Sequence, residues 1–148
     1  MMNNSIIKNI LKTDNSVSTL PLRIIAGIIF AAHGAQKLFA WFGGYGLDGT
    51  GQWMESIGLG PGYLMALTVG SVEFFGGILL ILGLLTRPTS AVLAITMVVA
   101  IIKVHLANGL FMANNGYEFA LALLAMSVAL AIHGAGKYSV DQTFSQKL

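Results

Sequence analysis

An ionisable side chain held inside lipid is costly unless it finds a partner, so each one is a candidate for function. This sequence places His33, Lys37, Glu73, Lys103, His105 and Glu118 inside or at the ends of long apolar runs. His33 lies about nine residues before the outer end of the first run, and Glu73 about ten after the outer start of the second. At ~1.5 Å per residue both fall ~15 Å below the outer edge. An imidazole and a carboxyl at one depth can hand a proton between them, which makes His33 and Glu73 the candidate catalytic pair. They are expected within hydrogen-bonding range, directly or through one water, because neither is stable alone in lipid. Lys37 shares a face with His33. It and Lys103, both ~7–8 Å below the outer edge, could stabilise developing negative charge. Lys103 shares a face with Thr96, Ala100 and Ala107 and is expected to point inward, with His105 turned to the rim. Glu118 heads a face of small residues, Ala122, Ala125 and Ala129, expected to turn inward. It should contact Lys37 or Lys103 and close the mouth of a pocket. With Trp53, the residues Lys37, Lys103, His105 and Glu118 make the candidate ligand-binding set. The competing reading is structural: two lysines and two glutamates that neutralise one another and only fix helix pairing.

These groups need elements to hold them, and the composition says which kind. Of 148 residues, 55% are hydrophobic and 9% charged, with a mean hydropathy of +0.77. A soluble domain has about 25% charged residues, so the solvent around most of this surface must be lipid. The runs 22–42, 63–85, 89–107 and 117–135 are each close to the ~20 residues of a spanning helix. The expected fold is therefore all-α, a four-helix transmembrane bundle over 20–138. A cytoplasmic tail precedes it at 1–19, loose or interfacial, and another follows at 139–148. Pro88 suits the first turn of a helix, where its missing N–H is not needed. With both termini inside, Lys8, Lys12, Arg23, Arg87, Lys137 and Lys147 lie at the inner ends and only Lys37 and Lys103 towards the outer ones. That asymmetry predicts cytoplasmic N- and C-termini. The first outer loop, 43–62, is long and glycine-rich. A short interfacial helix is expected from Thr50 to Ile57, with Trp53, Met54 and Ile57 on one face, and Trp41, Tyr45 and Trp53 at headgroup level. A loop of this length is a lid or an interfacial anchor.

Several classes drop out. There are no cysteines, so disulfides, thiolate ligands and thiol relays within the chain are excluded. The basic residues are scattered, not clustered as a nucleic-acid footprint requires. No close-spaced His/Glu pair forms a di-metal motif, and no second buried histidine lies opposite His33 for a haem; no metal is expected.

Together these pieces resemble the DoxX family of small bacterial inner-membrane proteins, from Leu22 to Asp141. They are Leu22-Arg23, Phe30 with His33-Gly34 and Lys37, and Gly70-x-x-Glu73-x-x-Gly76-Gly77. Gly83-Leu84-Leu85-Thr86-Arg87 follows, then His105 with Asn108-Gly109, Gly116-Tyr117-Glu118, and Gly136-x-Tyr138-Ser139-x-Asp141. The resemblance implies a four-helix bundle in the bacterial inner membrane and an association with quinone-linked redox chemistry. On that expectation a quinone or similar lipophilic molecule occupies the outer half of the bundle. Electrons would come from a partner redox protein, since the chain has no redox cofactor motif. The expected partners are membrane lipids and either a partner redox protein or further copies of the chain. A non-enzymatic binding or transport module, and a scaffold for other membrane proteins, are the alternatives.

Overall fold

The computed structural model describes residues 9–147, so Lys8 and the rest of 1–8 lie outside the described residues. The chain is helical: α1 (Thr19–Phe39), α2 (Gly46–Ser56), α3 (Gly62–Leu82), α4 (Thr86–Ala100), α5 (Glu118–His133) and α6 (Val140–Ser145). Three helices, Thr19–Phe39, Gly62–Leu82 and Thr86–Asn108, are long and apolar enough to cross a membrane, and α5 is a shorter apolar helix. At ~1.5 Å per residue α5 is ~24 Å long, against a hydrocarbon core of ~30 Å. Each apolar helix buries one stripe at helical spacing, such as Ala66, Gly70, Glu73, Gly77 and Leu80 on α3, and Ser90, Leu93 and Met97 on α4.

The tightest packing joins α1 to α3. Gly27 and Gly34 are two turns apart on α1, and Gly70 and Gly77 two turns apart on α3. A Cβ on Gly34 would lie 2.3 Å from the Phe74 nitrogen, and one on Gly77 2.4 Å from the Ala31 nitrogen. Backbone touches backbone here, which is how helices associate in lipid, where no hydrophobic force drives them together.

The end of the bundle where α1 begins is a polar knot. Arg23 is 1% exposed. Its guanidinium donates to the carbonyls of Ala135 (3.1 Å), Ile81 (2.6 Å) and Tyr138 (2.5 Å). Asp141 accepts from the Leu85 and Thr86 N–H groups at 2.7 and 2.9 Å. It thereby caps α4 from a distant segment, because the first N–H groups of a helix have no partner inside it. Asp141→Ala should therefore cost ~1–2 kcal/mol, read as a lower unfolding midpoint in detergent.

The tail before α1 is not loose over 12–16. Arg87 donates to the Lys12 carbonyl at 2.7 Å, the Lys137 N–H to the Ser16 carbonyl at 2.8 Å, and Gln142 to Asn15 at 2.6 Å. That strap joins residues 12–16 to the start of α4 and to the residues after α5, so the described segments before α1 and after α5 lie at one end of the bundle.

Between α1 and α3 the short helix starts four residues earlier than the sequence predicts and ends at Ser56. Met54 is buried and Trp53 is 43% exposed, so the two do not share a face. Consecutive helical residues are turned about 100° apart; Met54 packs with Thr50 and Gly51 on the inner stripe while Trp53 faces out.

Candidate functional site

Glu73 projects from the middle of α3 and is 4% exposed. Its Oε2 accepts from Lys37 Nζ at 2.6 Å, the one ion pair among the described residues. Gly34 abuts Phe74, which puts their sequence neighbours His33 and Glu73 at one level, as the sequence implies. The partner nevertheless differs, and the direction of side chains explains it. Every Cα–Cβ bond on a helix tilts towards its N-terminus. Lys37 therefore leans back along α1 towards Thr19, and Glu73, on antiparallel α3, leans back towards Gly62. The two meet between their own levels, and the expected direct bond from His33 to Glu73 is replaced by this pair. Lys37 Nζ also lies 3.5 Å from the His33 carbonyl oxygen. The His33 ring is exposed on the side facing α5, its centroid 6.0 Å from that of Phe119.

A cleft of about 400 Å³ opens above the pair, lined by Gln36, Lys37, Gly43, Gly44, Tyr45, Gly49, Thr50 and Trp53. The glycines are what allow it to form against α1. A Cβ on Gly44 would lie 2.4 Å from the Gln36 Cα, so that turn rests flat on the helix. Helix α2 roofs the cleft and is pinned to α3: the Glu55 carboxylate accepts from the Gly62 N–H at the start of α3. Lys37 therefore has two faces, one on Glu73 and one on the cleft, with its side chain 20% exposed. Of the predicted ligand-binding set, Lys37 and Trp53 reach this cleft.

The others do not join them. Lys103 is exposed rather than inside. The residues Ile101–His105 form a π turn, and the Leu106 N–H bonds back five residues to the Ile101 carbonyl. A π turn holds more residues than an α turn, so the phase that puts Lys103 with Thr96 and Ala100 is lost. Glu118 contacts neither lysine; it accepts from the Met112 N–H at 2.6 Å. His105 meets the Asn115 carbonyl at 2.9 Å, which also accepts from Asn108 at 3.2 Å. His105, Asn108 and Glu118 stitch the loop before α5, and the cleft lies under α2 instead. The face of α5 is also reversed. Ala122 and Ala125 are exposed while Ala120, Leu123, Ser127 and Leu130 are buried. In lipid an apolar face gains little by turning inward, so the buried face of α5 is set by its fit against α4, on which it packs most extensively.

Arg23, Asp141 and Glu55 carry structure that the sequence reading did not assign. Arg23 and Asp141 do stand in the quoted family pieces, but their carbonyl and N–H partners are backbone groups with no sequence signature. Among the described residues no group of three or more His, Asp and Glu side chains is placed to hold a metal.

Apolar helices long enough to span, backbone-close glycine packing and a buried ion pair under an aromatic-rimmed cleft define a multi-pass membrane protein. The DoxX family profile matches residues 18–106, from α1 through the π turn. The chain belongs to the DoxX family of membrane proteins. It is 40% identical to a Bacillus subtilis protein named "Putative oxidoreductase CatD", over 84% of this chain and 85% of that one. It is 32% identical to inner membrane protein YqjF of Escherichia coli, over 93% and 99% of the two chains. An uncharacterised membrane protein of Mycobacterium tuberculosis is 30% identical over 93% and 88%. No solved structure matches it.

Proposed function

We propose that this is a redox-associated subunit of the bacterial inner membrane, with four spans, that binds a quinone-type molecule in the cleft over Lys37 and Glu73. The observation that carries the reading is the Lys37 ammonium, which holds Glu73 at 2.6 Å and also lines the cleft. An ammonium there can donate to a quinone carbonyl and stabilise the negative charge that reduction places on its oxygen. Glu73 sits behind it and can exchange the proton that Lys37 hands on. Trp53 and Tyr45 offer flat apolar walls for a ring. Reducing a quinone to its quinol takes two electrons and two protons. The electrons come from a partner redox protein, and this chain supplies binding and proton handling. The name of the Bacillus subtilis relative and that of the Escherichia coli one support the redox association and the inner-membrane site.

Binding of a prenylated naphthoquinone to the protein in nanodiscs tests this. Saturable binding that Lys37→Met weakens about tenfold or more, on the order of 1.4 kcal/mol, is expected. Uptake no greater than that of empty nanodiscs would overturn the reading. The orientation has its own test. A reporter fused to the C-terminus should behave as cytoplasmic and one inserted at Thr50 as external, because the basic residues favour the inner side. The opposite pattern would place the cleft on the cytoplasmic face.

A further inference from the structure

The face of α1 that lines the cleft, at Gln36 and Lys37, extends beyond it. Gln36 and Lys37 stand three and four residues after His33, so the strip of α1 that lines the cleft runs down one turn to the His33 ring. Here α1 has little cover: it packs far more extensively on α3 than on α5. The strip meets Phe119 at the outer end of α5, with ring centroids 6.0 Å apart. One turn further along α5 stands Ala122, exposed and with only a methyl group as its side chain. The His33 ring makes no hydrogen bond among the described residues, although it stands ~9 Å inside the outer end of α1. A polar ring exposed at that depth in a spanning helix calls for a polar partner.

We propose that the cleft is loaded from the outer leaflet of the membrane, through the seam between α1 and α5, and that its occupant is an amphiphile with a carbonyl-bearing head and a long apolar tail. The head sits at Lys37, with His33 donating to or accepting from its second polar group. The tail leaves between His33 and Phe119 and lies along Ala122 in lipid. This rests on the reading of the cleft as a quinone site and narrows it to tailed quinones taken from the bilayer, as opposed to small water-borne ones.

The probes are a naphthoquinone with a long prenyl tail and the same ring with a methyl group in place of the tail, both measured on the full chain in nanodiscs. Ala122→Trp should weaken or slow binding of the tailed compound about tenfold and leave the tailless one nearly unchanged. Ile95→Trp, at a residue of α4 that is 63% exposed, should change neither. A diazirine on the tail should label α5 near Phe119 and Ala122 in the wild type, a readout that does not depend on any variant folding. Equal affinity of Ala122→Trp and wild type for the tailed compound, or labelling confined to α3 and α4, would overturn the lateral route alone. Failure of the wild type to bind either compound would remove the quinone reading of the cleft, and this inference with it.

Discussion

Lys37→Met should be the most damaging single change at the candidate site, lowering stability by about 3–5 kcal/mol. It strands Glu73, which is 4% exposed, as an unpaired carboxylate in the bundle. Glu73→Gln should cost less, about 1–3 kcal/mol, because the Lys37 side chain is 20% exposed and its long stem can swing the ammonium into the cleft. The double variant Lys37→Met with Glu73→Leu should recover much of the loss, since a buried pair is replaceable by apolar groups of similar volume, yet it should not bind the quinone probe. Denaturant unfolding in detergent would rank the three. Equal stability of Lys37→Met and Glu73→Gln would mean that Glu73 is not confined as described. A double variant that still binds the probe would remove the pair from the site.

The second large effect concerns the helix pair that carries the site. Gly34→Val should destabilise by at least about 3 kcal/mol, the upper end for overpacking. A Cβ at Gly34 meets the nitrogen of Phe74 at 2.3 Å and its Cα at 2.6 Å. Both are backbone atoms, so α3 as a whole must move, and Glu73 moves with it. Gly76→Ala is the control. Its Cβ would meet only side-chain atoms of Leu93 and Thr89, at 3.4 Å, and a few tenths of an ångström of adjustment suffices. If Gly34→Val and Gly76→Ala unfold at the same denaturant concentration, the α1–α3 contact is looser than described.

How far the sequence carried the reading can be judged from these same residues. The apolar runs, Pro88 in the first turn of α4, a short helix between the first two runs and the depth shared by His33 and Glu73 all follow from length, period and rise. Depth, however, is a property of the backbone, while pairing belongs to side-chain tips. Antiparallel helices tilt those tips in opposite directions, which moved the partner of Glu73 from His33 to Lys37. Lys103 was misplaced for a different reason. Its inward face assumes an unbroken 3.6-residue period, and the π turn at Ile101–His105 breaks it. Glu118 shows a third cause. Its partner is the backbone of Met112, six residues back in a loop whose path no periodicity describes.

The knot around Arg23 and Asp141 bears on the order in which the protein can be made. Arg23 leaves the ribosome early, but two of its acceptors, the carbonyls of Ala135 and Tyr138, follow it by 112 and 115 residues. Asp141, which holds the start of α4, comes later still. Until that segment arrives, a guanidinium near the membrane surface and the open end of a helix must both be satisfied by water or by headgroups. Helices α1 and α3 can pair as soon as both are inserted, through glycines that need nothing from the rest of the chain. Assembly thus has a built-in late step: the bundle is held at one corner once α1 and α3 are in place, and the segment after α5 then locks its other end.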